Sequence, residues 1–364
     1  MFKYILRRLI QAIPTFFGIT ILSYLIMDAA PGSPARLMTF GARTTPQQVR
    51  AAEAQLGLND PIHIQYLRWL LGDDWMRWDS DGDGIADHSV IIPLDADGDG
   101  VPEKPGDRRG IIRGDFGRSF SLRQPAINLI GQYVGATVEL SLTSLLLGLV
   151  TGVPIGILAA VRKGGYFDNF TRIMAVIFNA IPVFWLGLIL ILIFGVWLKQ
   201  PNGAPLLPMG GRCDPMSVGG CPPLPQRLNY ILLPSLVLAT GGIAVFSRYM
   251  RASMLDVINQ DFIRTARSKG LANRTVWFKH AARNALIPIA TILGPSVTGL
   301  LSGAVITETI FSWPGLGRFG YTAVLQQDYP IVMAVVIISA VATIVGFILS
   351  DILYAIVDPR IRFN

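Results

Sequence analysis

Six apolar runs dominate the chain: Leu9–Met27, Ala136–Val161, Phe170–Leu198, Ile231–Met250, Leu286–Ile306 and Ile331–Val357. Each is long enough to cross about 30 Å of hydrocarbon as a helix. The expected fold is therefore all-α and integral to a membrane, with six transmembrane helices. Composition agrees, because 51% of the residues are hydrophobic, 15% are charged and the mean hydropathy is +0.48, values a solvated globular surface does not reach. The N-terminal run imitates a secretory signal. Its 19 apolar residues exceed a signal's apolar region, and Asp28 spoils a small-residue cleavage site, so it reads as a retained first helix.

Charge sets the expected orientation. Lys3, Arg7 and Arg8 precede the first run, Arg162 and Lys163 follow the second, and Arg360 and Arg362 follow the sixth. Between the fourth and fifth runs stand Arg248, Arg251, Arg264, Arg267, Lys269, Arg274, Lys279 and Arg283, against only Asp256 and Asp261. Basic residues near span ends favour the cytoplasmic side, so these segments and both termini are expected there. A net charge of +7 spread over such segments marks membrane orientation rather than a nucleic-acid surface.

Loops 28–135, 199–230 and 307–330 then face outward. Pro201, Pro205, Pro208, Pro215, Pro222, Pro223 and Pro225 make the second a poor candidate for regular structure, so irregular chain is expected over the outer mouth. Cys213 and Cys221 lie within it, either bridged or as two structural thiols. Small residues at four-residue spacing, Gly148, Gly152 and Gly156 and again Gly299 and Gly303, are expected to be helix-packing surfaces. Pro154, Pro182 and Pro295 should kink or open their spans.

The first outer loop carries a repeat. Asp79, Asp81, Asp83 and Asp87 recur sixteen residues later as Asp95, Asp97, Asp99 and Glu103, with glycines in register. Alternating carboxylates converging on one hard cation, a glycine at the sixth position and a backbone carbonyl at the seventh, from Ile85 or Val101, fit a calcium loop. Val90 and Gly106 stand where an EF-hand has its glutamate, so the loops resemble the abbreviated repeats of thrombospondin type 3. Structural calcium is preferred over a merely acidic solvated loop because the glycines repeat in register with the acids.

The most informative stretch runs from Asp261 to Arg274. Asp261 is placed to cap a short helix, Thr265 and Ala266 keep it slim, Gly270 ends it, and a second short helix through Trp277 and Phe278 should follow. Joined firmly to two spans, such an elbow can enter a groove of a soluble partner and pass on its movement. The chain contains no G-x-x-x-x-G-K-[ST] phosphate loop, so it is expected to bind no nucleotide itself.

The text "DFIRTARSKGL" followed by "FKHAARNALIP" resembles the coupling region, or EAA loop, of bacterial ABC importer permeases of the dipeptide, oligopeptide and nickel branch. "LGLNDPIHIQYLRWL" at 56–70, "GDFGRSF" at 114–120, "TVELSL" at 137–142 and "TETIFSWPGLGRFG" at 307–320 extend the similarity over nearly the whole chain. The EAA positions here read Arg264, Thr265 and Ala266, a departure from the generic pattern. The resemblance implies the type I importer permease fold in a bacterial inner membrane. It implies three kinds of partner: a second homologous permease subunit, two ATPase subunits and an extracytoplasmic substrate-binding protein. It implies that Asp261, Arg264, Thr265, Ala266, Lys269, Gly270 and Leu271 meet the ATPase, and that peptide is the substrate. About forty residues separate "QYLRWL" from "GDFGRSF", a spacing that marks 72–112 as an insertion. The expected layout is a first helix over 1–30, an outer region over 31–135, a five-helix core over 136–357 with coupling region 251–284, and a tail over 358–364.

Other signals carry less. Gly315, Gly317 and Gly320 spell a G-x-G-x-x-G, but after Trp313-Pro314 rather than a strand, so tight turns in an outer loop are expected there and not a dinucleotide site. Glu139, Glu308 and Asp351 flank spans, where hydrated interfacial positions account for them as well as a substrate path does. His63, His88 and His280 show no catalytic spacing, and no enzyme activity is expected. An ion-driven secondary transporter would want paired ionisable groups at mid-membrane and inverted repeats, and neither is apparent. A calcium-dependent adhesion protein leaves five spans and the basic elbow without purpose. Nickel chelates or another small solute are the alternatives to peptide.

Overall fold

The computed structural model describes residues 2–29, 45, 60–72, 77–78, 88–89, 109–217, 220–293 and 304–357. Its long helices are α1 (Phe2–Asp28), α2 (Ile62–Leu71), α3 (Ala126–Val161), α4 (Tyr166–Ala180), α5 (Val183–Ile191) and α6 (Leu228–Val257). They are followed by α7 (Asp261–Ser268), α8 (Asn273–Thr275), α9 (Ala282–Ala285), α10 (Val305–Ile310), α11 (Leu316–Leu325) and α12 (Tyr329–Val357). Among the described residues, four unbroken stretches are long and apolar enough to cross a membrane: Leu6–Asp28, Ala126–Val161, Leu224–Val257 and Tyr329–Ser350. Of the expected fifth run, 287–293 is helical, and 294–303, with Pro295, Gly299 and Gly303, lies outside the described residues.

The third run opens at Pro182, as expected, and turns sharply there: Tyr166–Ala180 and Val183–Trp197 meet at 100°. Pro182 supplies the reason, since it disfavours helical geometry at the residue before it and offers no backbone donor. Ile181 is accordingly extended, at φ −71° and ψ 124°, and α5 starts afresh. Pro154, by contrast, lies inside an unbroken α3.

The all-α expectation also needs one correction. Arg77–Trp78 (β1) and His88–Ser89 (β2) pair antiparallel, with Arg77 opposite Ser89 and Trp78 opposite His88. All ten expected calcium ligands lie outside the described residues.

Contacts divide the chain into two units. In the first, comprising Met1–Ala12, Tyr133–Phe319 and Ser339–Asn364, the glycine stripe of α3 lies against α6 as expected. A side chain at Gly152 would meet the Ile243 carbonyl at 3.0 Å, and one at Gly156 would meet the Ser247 carbonyl at 2.5 Å. Backbone-close packing of this kind is how helices associate where lipid removes the hydrophobic drive. In the second unit, Ile13–Gln132 and Gly320–Ile338, Tyr24 packs against Tyr66 and Trp69, and Thr20 shares a 2.9 Å hydrogen bond with the Tyr66 hydroxyl. Arg68 pairs with Asp60 at 3.1 Å, both side chains buried. Asp328 there accepts hydrogen bonds from the Ser119 and Ser121 hydroxyls and from the amides of Phe120 and Ser121. Four donors on one buried carboxylate hold the 119–121 turn to the start of α12.

Candidate functional site: the basic elbow

The elbow forms as its residues predict, with one change at its start. Gln260 occupies the cap position without a side-chain bond, and Asp261 is the first helical residue. There its charge still complements the N-terminal dipole. Thr265 donates to the Asp261 carbonyl at 3.0 Å and Ser268 to the Arg264 carbonyl at 3.0 Å, so both hydroxyls are satisfied within the helix.

Gly270 ends α7 at φ +72°, a left-handed conformation that a β-carbon disfavours. Its amide donates to the Arg267 carbonyl at 2.9 Å and the Leu271 amide reaches back to Ala266 at 3.4 Å, a Schellman arrangement. The chain then reverses into α8. It continues through a wider π turn at Val276–Ala281, which holds Trp277 and Phe278, into α9.

One face of the elbow is seated and the other is bare. Ile263, Val276, Ala281 and Ala285 are fully buried, and Ala266 nearly so, against Met250, Met254 and Val257 of α6 and Ile157 and Ala160 of α3. Of the seven expected coupling residues, Ala266 turns inward, whereas Asp261, Arg264, Thr265, Lys269, Gly270 and Leu271 are exposed. Arg264 makes only a 3.3 Å pair with Asp261, and Arg267 lies 4.7 Å over the Trp277 ring. The result is a cationic surface with Phe262 and Leu271 exposed on it, seated from behind on apolar contacts.

At the other end of α6 the structure builds something that sequence reading missed. Trp313 is fully buried with Ala136, Leu140 and Ile231, and its indole donates to the Ala136 carbonyl at 2.9 Å. Glu308 is also fully buried, which overturns the hydrated interfacial position expected for it. Its carboxylate accepts from the Thr137 hydroxyl at 2.9 Å and the Arg318 amide at 2.8 Å. Burial pushes this carboxyl above the usual range, against the pull of those bonds and of the Arg318 charge. A side chain at Gly315 would fall on the carboxylate itself, so glycine is required there by close approach. Gly317 and Gly320 lie within α11, which corrects the expectation of tight turns for them.

Glu139 is likewise enclosed, accepting from Arg212 at 2.5 Å and Arg227 at 2.8 Å. Arg212 adjoins the proline-rich loop's disulfide, Cys213 to Cys221, so the bridged alternative holds. A signal for these pairs was available only as charges placed at the edges of apolar runs.

Apolar helices tied at one end by buried carboxylates and carrying a basic elbow at the other define a multi-pass membrane protein of transporter type. Residues 152–363 match the model of the binding-protein-dependent transport system inner membrane component, and residues 1–77 match that of its N-terminal region. The chain belongs to this family of inner-membrane permease components. It is 38% identical over 364 residues to the oligopeptide transport system permease protein AppB of Bacillus subtilis, covering all of both chains. It is 34% identical over 380 residues to the dipeptide transport system permease protein DppB of Escherichia coli, covering 100% of this chain and 99% of that one. Among solved structures it is similar to an inward-facing MetNI methionine ABC transporter, at 18% identity and a TM-score of 0.44, over 62% of this chain and 97% of that one.

Proposed function

We propose that this permease forms half of a translocation pathway for di- or oligopeptides, beside a second homologous permease subunit. Two separate ATPase subunits would power it and an extracytoplasmic binding protein would deliver its substrate. The observation that carries the peptide reading is end-to-end similarity to AppB and DppB, named as oligopeptide and dipeptide permeases. The elbow supports the coupling role: its exposed Arg264, Lys269 and Leu271 face away from the bundle while Ile263 and Ala266 bind it to α6. A push on α7 is then delivered to a helix of thirty residues, about 45 Å long at 1.5 Å per residue. In this reading ATP closes the ATPase dimer, α7 moves with it, and the spans alternate between their two openings. The elbow and both termini lie in the cytoplasm.

Gly270→Val tests the coupling. A β-branched residue at φ +72° distorts the end of α7 while open space surrounds the position. The expected result is normal membrane insertion and retained ATPase activity in the assembled transporter, with peptide uptake reduced at least about tenfold. Unaltered uptake, or uptake that needs no nucleotide, defeats the proposal.

For the insertion, we infer that the repeats at 79–87 and 95–103 bind calcium. Calcium should raise the melting temperature of the full chain, and Asp81→Asn with Asp97→Asn should abolish that rise. An equal response in the doubly substituted chain removes the metal assignment.

A further inference from the structure

A cavity of about 140 Å³ opens between α3, α4 and α6, lined by Ala159, Thr171, Arg172, Ala175, Val176, Ser247, Arg248 and Arg251. Its walls divide by chemistry. One side is aliphatic and small; the other carries three guanidinium groups, with the Asp168 carboxylate held against Arg251. That carboxylate is already committed. It accepts two hydrogen bonds from Arg251, at 2.5 and 2.8 Å, and one from the Gly164 amide at 2.9 Å.

The hydroxyls are committed too, Thr171 to the Asp168 carbonyl and Ser247 to the Ala244 carbonyl. Arg172 and Arg248 make no hydrogen bond or salt bridge among the described residues, Arg172 acting on Asp168 only through its charge, and both are exposed. The three arginines and Asp168 leave the cavity with an excess of two positive charges.

Such charges need an account, because α4 and α6 belong to candidate spans. The surface around Arg172 is apolar: Phe170, Ile173 and Val176 are 59%, 57% and 63% exposed. In an inner-membrane component, residues of that kind face acyl chains. An unpaired arginine among them costs several kcal/mol at the bilayer centre and far less where it reaches headgroups. Arg172 lies six residues into α4, about 9 Å along the helix from Tyr166. Arg248 lies nine residues before the end of α6, about 14 Å from Val257. Those depths put both guanidinium groups within reach of a headgroup layer, on the face from which the elbow hangs.

We propose that this cavity is a binding site for the phosphate of an anionic phospholipid, with Arg172 and Arg248 as its principal donors. Arg251, held by Asp168, contributes fixed positive charge at the floor. The aliphatic wall of Ala159, Ala175 and Val176 takes the start of an acyl chain. A guanidinium presents paired N–H donors that suit phosphate oxygens. Basic pockets between membrane helices on the cytoplasmic side are a recurrent setting for acidic headgroups. The site is separate from the elbow and from the peptide reading, and neither depends on it.

Native mass spectrometry of the assembled transporter, released gently from nanodiscs of phosphatidylcholine with a minor fraction of phosphatidylglycerol, tests it. Wild type should retain phosphatidylglycerol selectively. The Arg172→Gln, Arg248→Gln variant should bind it about twenty-five-fold more weakly, two charges at roughly a factor of five each. Removing the same charge from Lys163 and Lys279, which do not line the cavity, should leave retention unchanged. Because both arginines are exposed, the variant is expected to fold, and its melting temperature in phosphatidylcholine alone checks that separately.

Equal retention by the variant overturns the proposal. So does protection of the arginines from dicarbonyl modification by millimolar inorganic phosphate but not by lipid, which would make the ligand a soluble anion. Shielding of the arginines in the lipid-free complex would make the face a subunit contact, and that also overturns it.

Discussion

Two short helices of this chain end in the same way and are held in opposite ways. α7 closes through Gly270 at φ +72° and α10 through Ser312 at φ +48°, each followed by an amide that reaches back to the helix: Leu271 to Ala266, and Trp313 to Glu308. The elbow behind the first is seated through its Ile263, Ala266, Val276 and Ala285 on Met250, Met254 and Val257 of α6 and turns its polar atoms outward. The turn behind the second is fastened by directed bonds to buried groups, Thr137 and Arg318 on Glu308 and the Trp313 indole on Ala136. Apolar contact is non-directional and tolerates small rocking. Hydrogen bonds to a buried carboxylate tolerate almost none, because each lost bond leaves an orphaned polar group. The same local motif thus serves a part suited to being pushed and a part suited to staying where it is.

The largest expected effect is at the fixed end. Trp313→Ala should cost about 3–5 kcal/mol of stability, from the cavity it leaves, with the Ala136 carbonyl losing its donor as well. Denaturant titration of the purified chain measures it, and a loss below about 1 kcal/mol would erase the distinction. Ile263→Ala should come next, at about 3 kcal/mol. It should also loosen the elbow, read as faster hydrogen exchange confined to 261–285; exchange rising equally around 308–318 would show the two ends to be one cooperative body.

The smallest effect is the sharpest. The Glu308 carboxyl is raised above its ordinary value of 4.5 by burial, so the folded state holds a proton more readily than the unfolded chain. Its contribution to stability is therefore full below that ordinary value and is lost as pH rises through the raised folded value. Melting temperature should fall more steeply for wild type than for Glu308→Gln as pH rises above the ordinary carboxyl value of 4.5. Parallel pH profiles would show that the carboxyl titrates as it does in the unfolded chain.

Much of this architecture is legible in the residues. Long apolar runs announce α1, α3, α6 and α12, because each buries its own backbone polar groups and needs no distant partner to be recognised. Gly270 ends α7 for a local reason, and the stripe of Gly148, Gly152 and Gly156 has a spacing that only a helix makes meaningful. Pairing over distance leaves no such trace. Asp168 meets Arg251 across 83 residues, Glu139 meets Arg227 across 88, and Ser119 meets Asp328 across 209. Nothing periodic connects these groups, and so Glu308 read as a surface acid before its burial was seen. The depth of the break at Pro182 escaped for a related reason, since a proline shows where a helix is weakened but not how far the chain then turns.

The Cys213–Cys221 bridge gives the loop that contains it a use as a marker. Disulfides persist in oxidising compartments and are kept reduced in the cytosol. A molecule threaded into the bilayer the wrong way up would leave two thiols open to maleimide, whereas one inserted as proposed would resist labelling until a reductant is added. The chain thereby carries its own record of which way it faces.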